Sequence, residues 1–232
     1  MKFLKVFLVF TIPVLPLAAQ ISQGFDYINT EMYTTGKKYY ALLLDDPTLK
    51  PEASYYLGEI YRLSGKSDSA AYYYEMGLNQ ETPNALCMAG KAGLIMANDA
   101  AQAADLLKKA ASVKEYKKNP AVFVAIAKAY AANKQYDKAF ETLNLAKDLN
   151  KNYTEIYLTE GKILLQQNKP GEAASKIESA LVFDPNCKSA YFTLAKFYYH
   201  GKMFAQALDY LDKLKAIDAA FPPALKLYGD IY

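Results

Sequence analysis

Four lysines, each preceded by glycine or alanine, recur along the chain: Gly90-Lys91, Ala127-Lys128, Gly161-Lys162 and Ala195-Lys196. The last three pairs are 34 residues apart, and the first precedes its neighbour by 37. An ammonium group is a point charge suited to a carboxylate, and a fixed period would repeat that charge along one surface. Each lysine has companions four positions before and three after. They are Cys87 and Leu94, Val124 and Ala131, Leu158 and Leu165, and Phe192 and Tyr199. Those intervals return to one face of a helix, so each lysine shares its face with apolar or aromatic groups. The chemistry on offer is recognition of an acidic, apolar chain.

Bond-making chemistry has little support. The single histidine, His200, excludes a two-histidine metal site, and its place beside Gly201-Lys202 reads as a helix end. No metalloprotease, nucleophile-elbow, dinucleotide or phosphate-loop pattern occurs. The acids Asp45 and Asp46 read as solvated turn residues. Cys87 and Cys187 fall in different repeats, beyond the ~7 Å reach of a disulfide, so both are expected as free thiols, with Cys187 the more reactive. The reading is of a non-enzyme with no cofactor and no metal.

Charge narrows the partners. The formal net charge is +3, and the basic residues are lysines except Arg62. A balanced chain lacks the concentrated basic face that nucleic acid needs. Scarce arginine argues against a bidentate phosphate clamp. Residues 1–19 read as a secretory signal: Lys2 and Lys5, an apolar run from Val6 to Leu17, then Leu17-Ala18-Ala19 before Gln20. That run is too short for the ~20 residues of a membrane span. Export, to the periplasm or outer envelope of a Gram-negative bacterium, is the expected localisation.

The elements that carry the lysines are helix pairs. Six segments start at Pro51, Pro83, Pro120, Thr154, Lys188 and Pro222, four of them with the proline that suits a first helical turn. First helices repeat large, small and large residues on one face, as in Phe123, Ala127 and Tyr130, or Tyr157, Gly161 and Leu164. Second helices repeat Ala139, Leu143 and Ala146, or Ala173, Ile177 and Ala180. Small residues allow close helix approach, and large ones fill the grooves. The expected divisions are a partial repeat over 20–50, five repeats over 51–82, 83–119, 120–153, 154–187 and 188–221, and the start of a truncated repeat over 222–232. Segment 83–119 is longer and has Gly93 where others have Tyr or Leu, which predicts looser packing. Glu160 stands where others have Leu57, Ile126 and Leu194, so it must find a lysine or water.

The run Tyr55-Tyr56-Leu57-Gly58-x-x-Tyr61, with Gly65, Ala70, Tyr74 and Leu78, resembles the tetratricopeptide repeat family. Ala173, Ile177, Ala180-Leu181 and Asp184-Pro185 add to the likeness, which covers roughly residues 20–232. The resemblance implies an all-α, right-handed superhelical solenoid of antiparallel helix hairpins that binds protein partners without catalysis. It also implies that the lysine face lines a concave groove. Lys91, Lys128, Lys162 and Lys196 would then form a ladder that engages carboxylates, with Leu158, Phe192, Tyr199 and Tyr55 packing apolar side chains. Glu59 and Asp230 take the lysine's place at the two ends. The expected partner is a protein or peptide with acidic and apolar groups, and the last helix offers a surface for self-association. Three roles follow: an adaptor of the bacterial envelope, the sensory region of a longer membrane signalling protein, or the non-catalytic part of a larger enzyme.

Overall fold

The computed structural model describes residue 21 and residues 24–232, so the leader expected over residues 1–19 lies outside the described residues. Among the described residues the chain is helical throughout. A short helix, α1 (Phe25–Asn29), precedes α2 (Tyr33–Leu42). Five hairpins follow: α3 (Lys50–Leu63) with α4 (Ser67–Leu78), α5 (Ala85–Ile95) with α6 (Ala100–Ser112), α7 (Pro120–Ala132) with α8 (Tyr136–Leu149), α9 (Glu155–Gln166) with α10 (Pro170–Phe183), and α11 (Lys188–His200) with α12 (Phe204–Ile217). The last helix, α13 (Pro222–Ile231), packs on α11 and α12. No described helix is long and apolar enough to cross a membrane.

Helix starts follow local chemistry. Pro51, Pro120 and Pro222 occupy first turns, where a missing N–H leaves nothing unpaired. Pro83 does not: Asn84 caps α5 by accepting from the Cys87 N–H at 3.0 Å, which leaves the proline outside the helix.

Four hairpins turn alike. Gly65, Lys134, Asn168 and Lys202 take φ values of 72°, 58°, 58° and 59°. The next residue in each turn sends its N–H back into the helix, Lys66 to the Tyr61 carbonyl at 2.9 Å and Gln135 to Tyr130 at 3.0 Å. Lys169 to Leu164 and Met203 to Tyr198 repeat the bond at 2.9 Å. This closure satisfies carbonyls that the helix end would otherwise orphan. The α5–α6 turn is built differently, with Asp99 capping α6 through the Gln102 N–H.

Small residues set the helix spacing. The Tyr74 ring, fully buried, lies between α3 and α5 because a Cβ at Gly58 or Gly90 would come within 2.3 or 2.4 Å of it. A Cβ at Gly161 would sit 2.4 Å from Ile177 Cγ1. The looser packing expected at Gly93 is overturned. A Cβ there would lie 3.2 Å from both Cα and Cβ of Ala129, so the missing side chain brings α5 and α7 together. The extra length of this repeat forms a 3-10 turn, Lys114–Tyr116. The Tyr116 hydroxyl donates to Glu52 at 2.9 Å and accepts from Asn84 at 2.7 Å, binding the insertion to the previous hairpin.

The core is a string of clusters along the array, as expected when each hairpin packs mainly on its neighbours. At its start, α2 lies against α3 with the Tyr40 ring stacked on Tyr56 at 5.1 Å. At the other end, α13 buries Ala224 and Leu227 and leaves Leu225 and Tyr232 exposed.

Candidate functional site

The first helices α3, α7, α9 and α11 share one face, and α1 lies on it. Phe25 tilts its ring onto Tyr56 of α3 at 5.0 Å. Asp26 accepts from the Ser189 hydroxyl of α11 at 2.5 Å and pairs with Lys188 at 3.5 Å. Asn29 donates to Glu155 of α9 at 3.0 Å and accepts from Lys162 at 2.7 Å. Glu31 pairs with Lys196 at 2.6 Å. The face expected to receive an acidic, apolar chain is thus occupied by the protein's own residues 25–31.

The four period lysines do not act alike. Lys162 and Lys196 reach this segment. Lys128 instead meets Glu155 on the next first helix, at 2.6 Å. Lys91 leaves the ladder altogether and pairs with Glu75 of α4. A charge presented along a helix row takes the nearest acid, and Glu75 and Glu155 intercept two rungs.

The expected apolar wall also divides. Leu158 is buried among the helices and offers no free surface. Tyr55 is buried beneath Phe25 and Ile28, where it lines a small enclosed space with Tyr56, Glu59, Lys128, Tyr153 and Glu155. Phe192 and Tyr199 lie farther along. Phe192 borders a cleft of about 730 Å³ with Leu165, Thr193, Lys196, Phe197 and Met203, and Asn29 and Glu31 form its near edge. Tyr199 and Asp230 border a second cleft of about 480 Å³ that continues toward α13.

The electrostatics follow from partial burial. Withdrawal from water lowers the Lys162 pKa to about 8, only partly offset by Glu155. Burial would raise the Glu155 carboxyl, but Lys128 and Lys162 outweigh it and hold the pKa below the ordinary value. Glu59 borders the same space as Lys128 and Lys162 but is held by its own helix pair. It takes a bidentate pair from Arg62, at 3.0 and 2.8 Å, and a hydroxyl bond from Tyr74 at 2.6 Å. Burial opposes its ionised form, yet Arg62 prevails and the pKa falls to about 2. The one arginine therefore serves an internal pair.

Other expectations resolve simply. Both cysteines are free. Burial pushes both thiols up, Cys187 to about 12 and the fully buried Cys87 well above its ordinary value, which leaves Cys187 the more accessible of two suppressed thiols. Glu160, buried, finds Lys147 at 2.5 Å and Lys176 at 3.6 Å. Six residues of the site are not among those expected from the sequence: Asp26, Asn29, Glu31, Glu155, Lys188 and Ser189. Glu155 had a signal, an acid in the first turn of α9 one step from the lysine row. The acids Asp26 and Glu31 had one too, as the charged residues of an otherwise uncharged stretch.

The tetratricopeptide repeat sequence profile matches residues 94–162 and 164–231, more than half of the chain. The chain belongs to the tetratricopeptide repeat family. Among solved structures, a thermophilic tetratricopeptide repeat protein of Thermus thermophilus, TTC0263, is 16% identical with a TM-score of 0.56, over 78% of this chain and 98% of that one. The type IV pilus biogenesis factor PilW is 14% identical at 0.51, over 90% and 96%. Yeast Tom70 is 16% identical at 0.53, over 93% of this chain and 46% of Tom70. These likenesses concern the fold. A comparison with curated proteins finds no match. Tetratricopeptide repeat proteins typically serve as protein-interaction scaffolds, and in this one the first-helix face already holds a peptide segment.

Proposed function

We propose that this protein is a non-catalytic adaptor that holds a peptide or protein segment on the face formed by α7, α9 and α11. One observation carries the reading: with Tyr56 of the neighbouring α3, that face seats residues 25–31 through side chains on α9 and α11, using cations, a hydroxyl and an aromatic ring together. The clefts beside the segment extend the same chemistry past Phe192 and Tyr199. Apolar contacts would supply most of the affinity, with Lys162, Lys188 and Lys196 setting register and on-rate. Lys2, Lys5 and the apolar run before Gln20 support export, and we place the adaptor in the bacterial envelope.

Site-specific photo-crosslinking in cells tests the reading. A crosslinker at Thr193 or Gln166, both bordering the larger cleft, should trap a discrete partner that Lys196→Glu removes. A crosslinker at Val182, exposed on α10, should not. Equal trapping from all three positions overturns the assignment of this face.

A further inference from the structure

We infer that residues 25–31 are a tethered competitor for this face, displaced when a partner protein presents a segment with the same side-chain pattern. The inference rests on the adaptor reading and specifies its ligand.

The segment packs Phe25 and Ile28 onto the core from outside and is held to it by side chains of other helices. Helix α1 has five residues, too few to persist in water, so its surroundings impose its shape. None of those five residues is fully buried, whereas α3 buries eight in succession. The anchors are spaced as a peptide's would be: an aromatic at 25, a carboxylate at 26, an apolar residue at 28, an amide at 29 and a carboxylate at 31. Each meets a group of matching chemistry on a different part of the face.

The fit is strained and incomplete. Glu31, which pairs with Lys196, has φ 63°, a left-handed backbone that costs a residue with a Cβ and is relieved on release. Beneath Ile28 and Asn29 a space of about 130 Å³ remains, bordered by Glu59, Arg62, Lys128, Thr159 and Lys162. Thr159 borders that space, but its hydroxyl is sealed from it and finds no hydrogen-bond partner among the described residues.

The segment is joined to α2 through Met32 alone, so it competes at an effective concentration on the order of mM. A partner must therefore bind the open face well enough to overcome that concentration, and weak acidic peptides are excluded. Its chemistry is an aromatic residue followed by an acid, an amide three places after the acid and a second acid two places later, presented as one helical turn.

The test uses the full chain and a fluorescent peptide of residues 24–33. The double variant Asp26→Lys, Glu31→Lys sets like charges against Lys188 and Lys196 and frees the face. Anisotropy should show the peptide binding this variant at least about tenfold tighter than the wild type. Adding Lys162→Ala and Lys196→Glu should abolish the gain. Should the double variant fail to fold, Glu31→Ala removes the Lys196 pair, keeps the strained φ of the docked segment and allows the same comparison. Equal affinity for wild type and freed chain, or no binding to a folded freed chain, overturns the inference. So does a concentration-dependent wild-type dimer that the double variant loses, because the segment would then serve a second copy. If crosslinking identifies a partner while the peptide discriminates nothing, the competitor fails and the adaptor stands. The opposite pair of results sinks the adaptor alone.

Discussion

The Lys162 ammonium donates to the Asn29 side-chain oxygen at 2.7 Å, although 133 positions separate the two residues. The same amide donates to Glu155 at 3.0 Å, so one uncharged side chain bridges a cation and an anion. Asn29→Ala would leave both ionised groups short of a partner in a half-buried place. The expected loss is about 1–2 kcal/mol, read as a lower urea midpoint. An unchanged midpoint would show that water replaces the amide without cost.

Arg62→Ala should be worse, because it leaves Glu59 buried without its counter-charge. Removing one partner of such a pair costs about 3 kcal/mol, and the same urea titration reads it. Arg62→Lys should restore only part of this, since an ammonium cannot match both carboxylate oxygens. Full restoration by lysine would mean that charge alone, without the fork geometry, holds Glu59.

Stability should rise with pH in two separate windows. Glu59 titrates at about 2 in the folded chain against an ordinary 4.5, so its contribution is complete above pH 4.5 and is lost as pH falls toward 2. Lys162 titrates at about 8 against 10.5, so the unfolded chain holds the extra proton between those values, and stability rises as pH climbs through them. Denaturant midpoints across both ranges, with Glu59→Gln and Lys162→Met as controls, check each window. A control that leaves its window unchanged refutes that assignment.

The helix pairs are legible in the sequence because their signal is local. Gly161 and Ala173 lie at repeating intervals whatever the groove holds, and the left-handed turns at Lys134, Asn168 and Lys202 recur every 34 residues. The face of Lys162 and Lys196 is legible for the same reason. Their partners are not. Asn29 and Glu31 lie outside the period, and nothing in helical spacing says where a segment more than 100 residues away will settle. The looser packing expected at Gly93 fails because a missing side chain is not a void when a neighbour can close on it, as Ala129 does.

Gly161→Ala and Gly171→Ala make a matched pair on the α9–α10 hairpin. The first drives a methyl to 2.4 Å from Ile177 Cγ1, with the Ala173 carbonyl at 3.2 Å behind it. Overpacking of this kind costs about 1–3 kcal/mol. The second meets nothing within 4 Å in the first turn of α10 and should stabilise by up to about 1 kcal/mol. Thermal melts distinguish them, and shifts of the same sign would refute the packing account.

Glu160→Leu replaces a buried ion by the residue found at the matching places Leu57 and Leu194. Glu160 Oε2 has no hydrogen bond among the described residues. Combined with Lys147→Met, which removes the partner charge, the exchange should be neutral or stabilising by about 1 kcal/mol, as for other buried pairs replaced by apolar groups. Calorimetry that instead finds a loss above that size would assign the pair a structural role.

A row of hairpins that touch only their neighbours unravels from its ends, one unit at a time. The contact between Glu31 and Lys196 spans 165 positions and ties the beginning of the row to its fifth hairpin. Closing so wide a loop is slow, so the segment must dock after the hairpins have formed. Once docked, it couples their melting, and a row that would fray piecemeal holds or fails as one body.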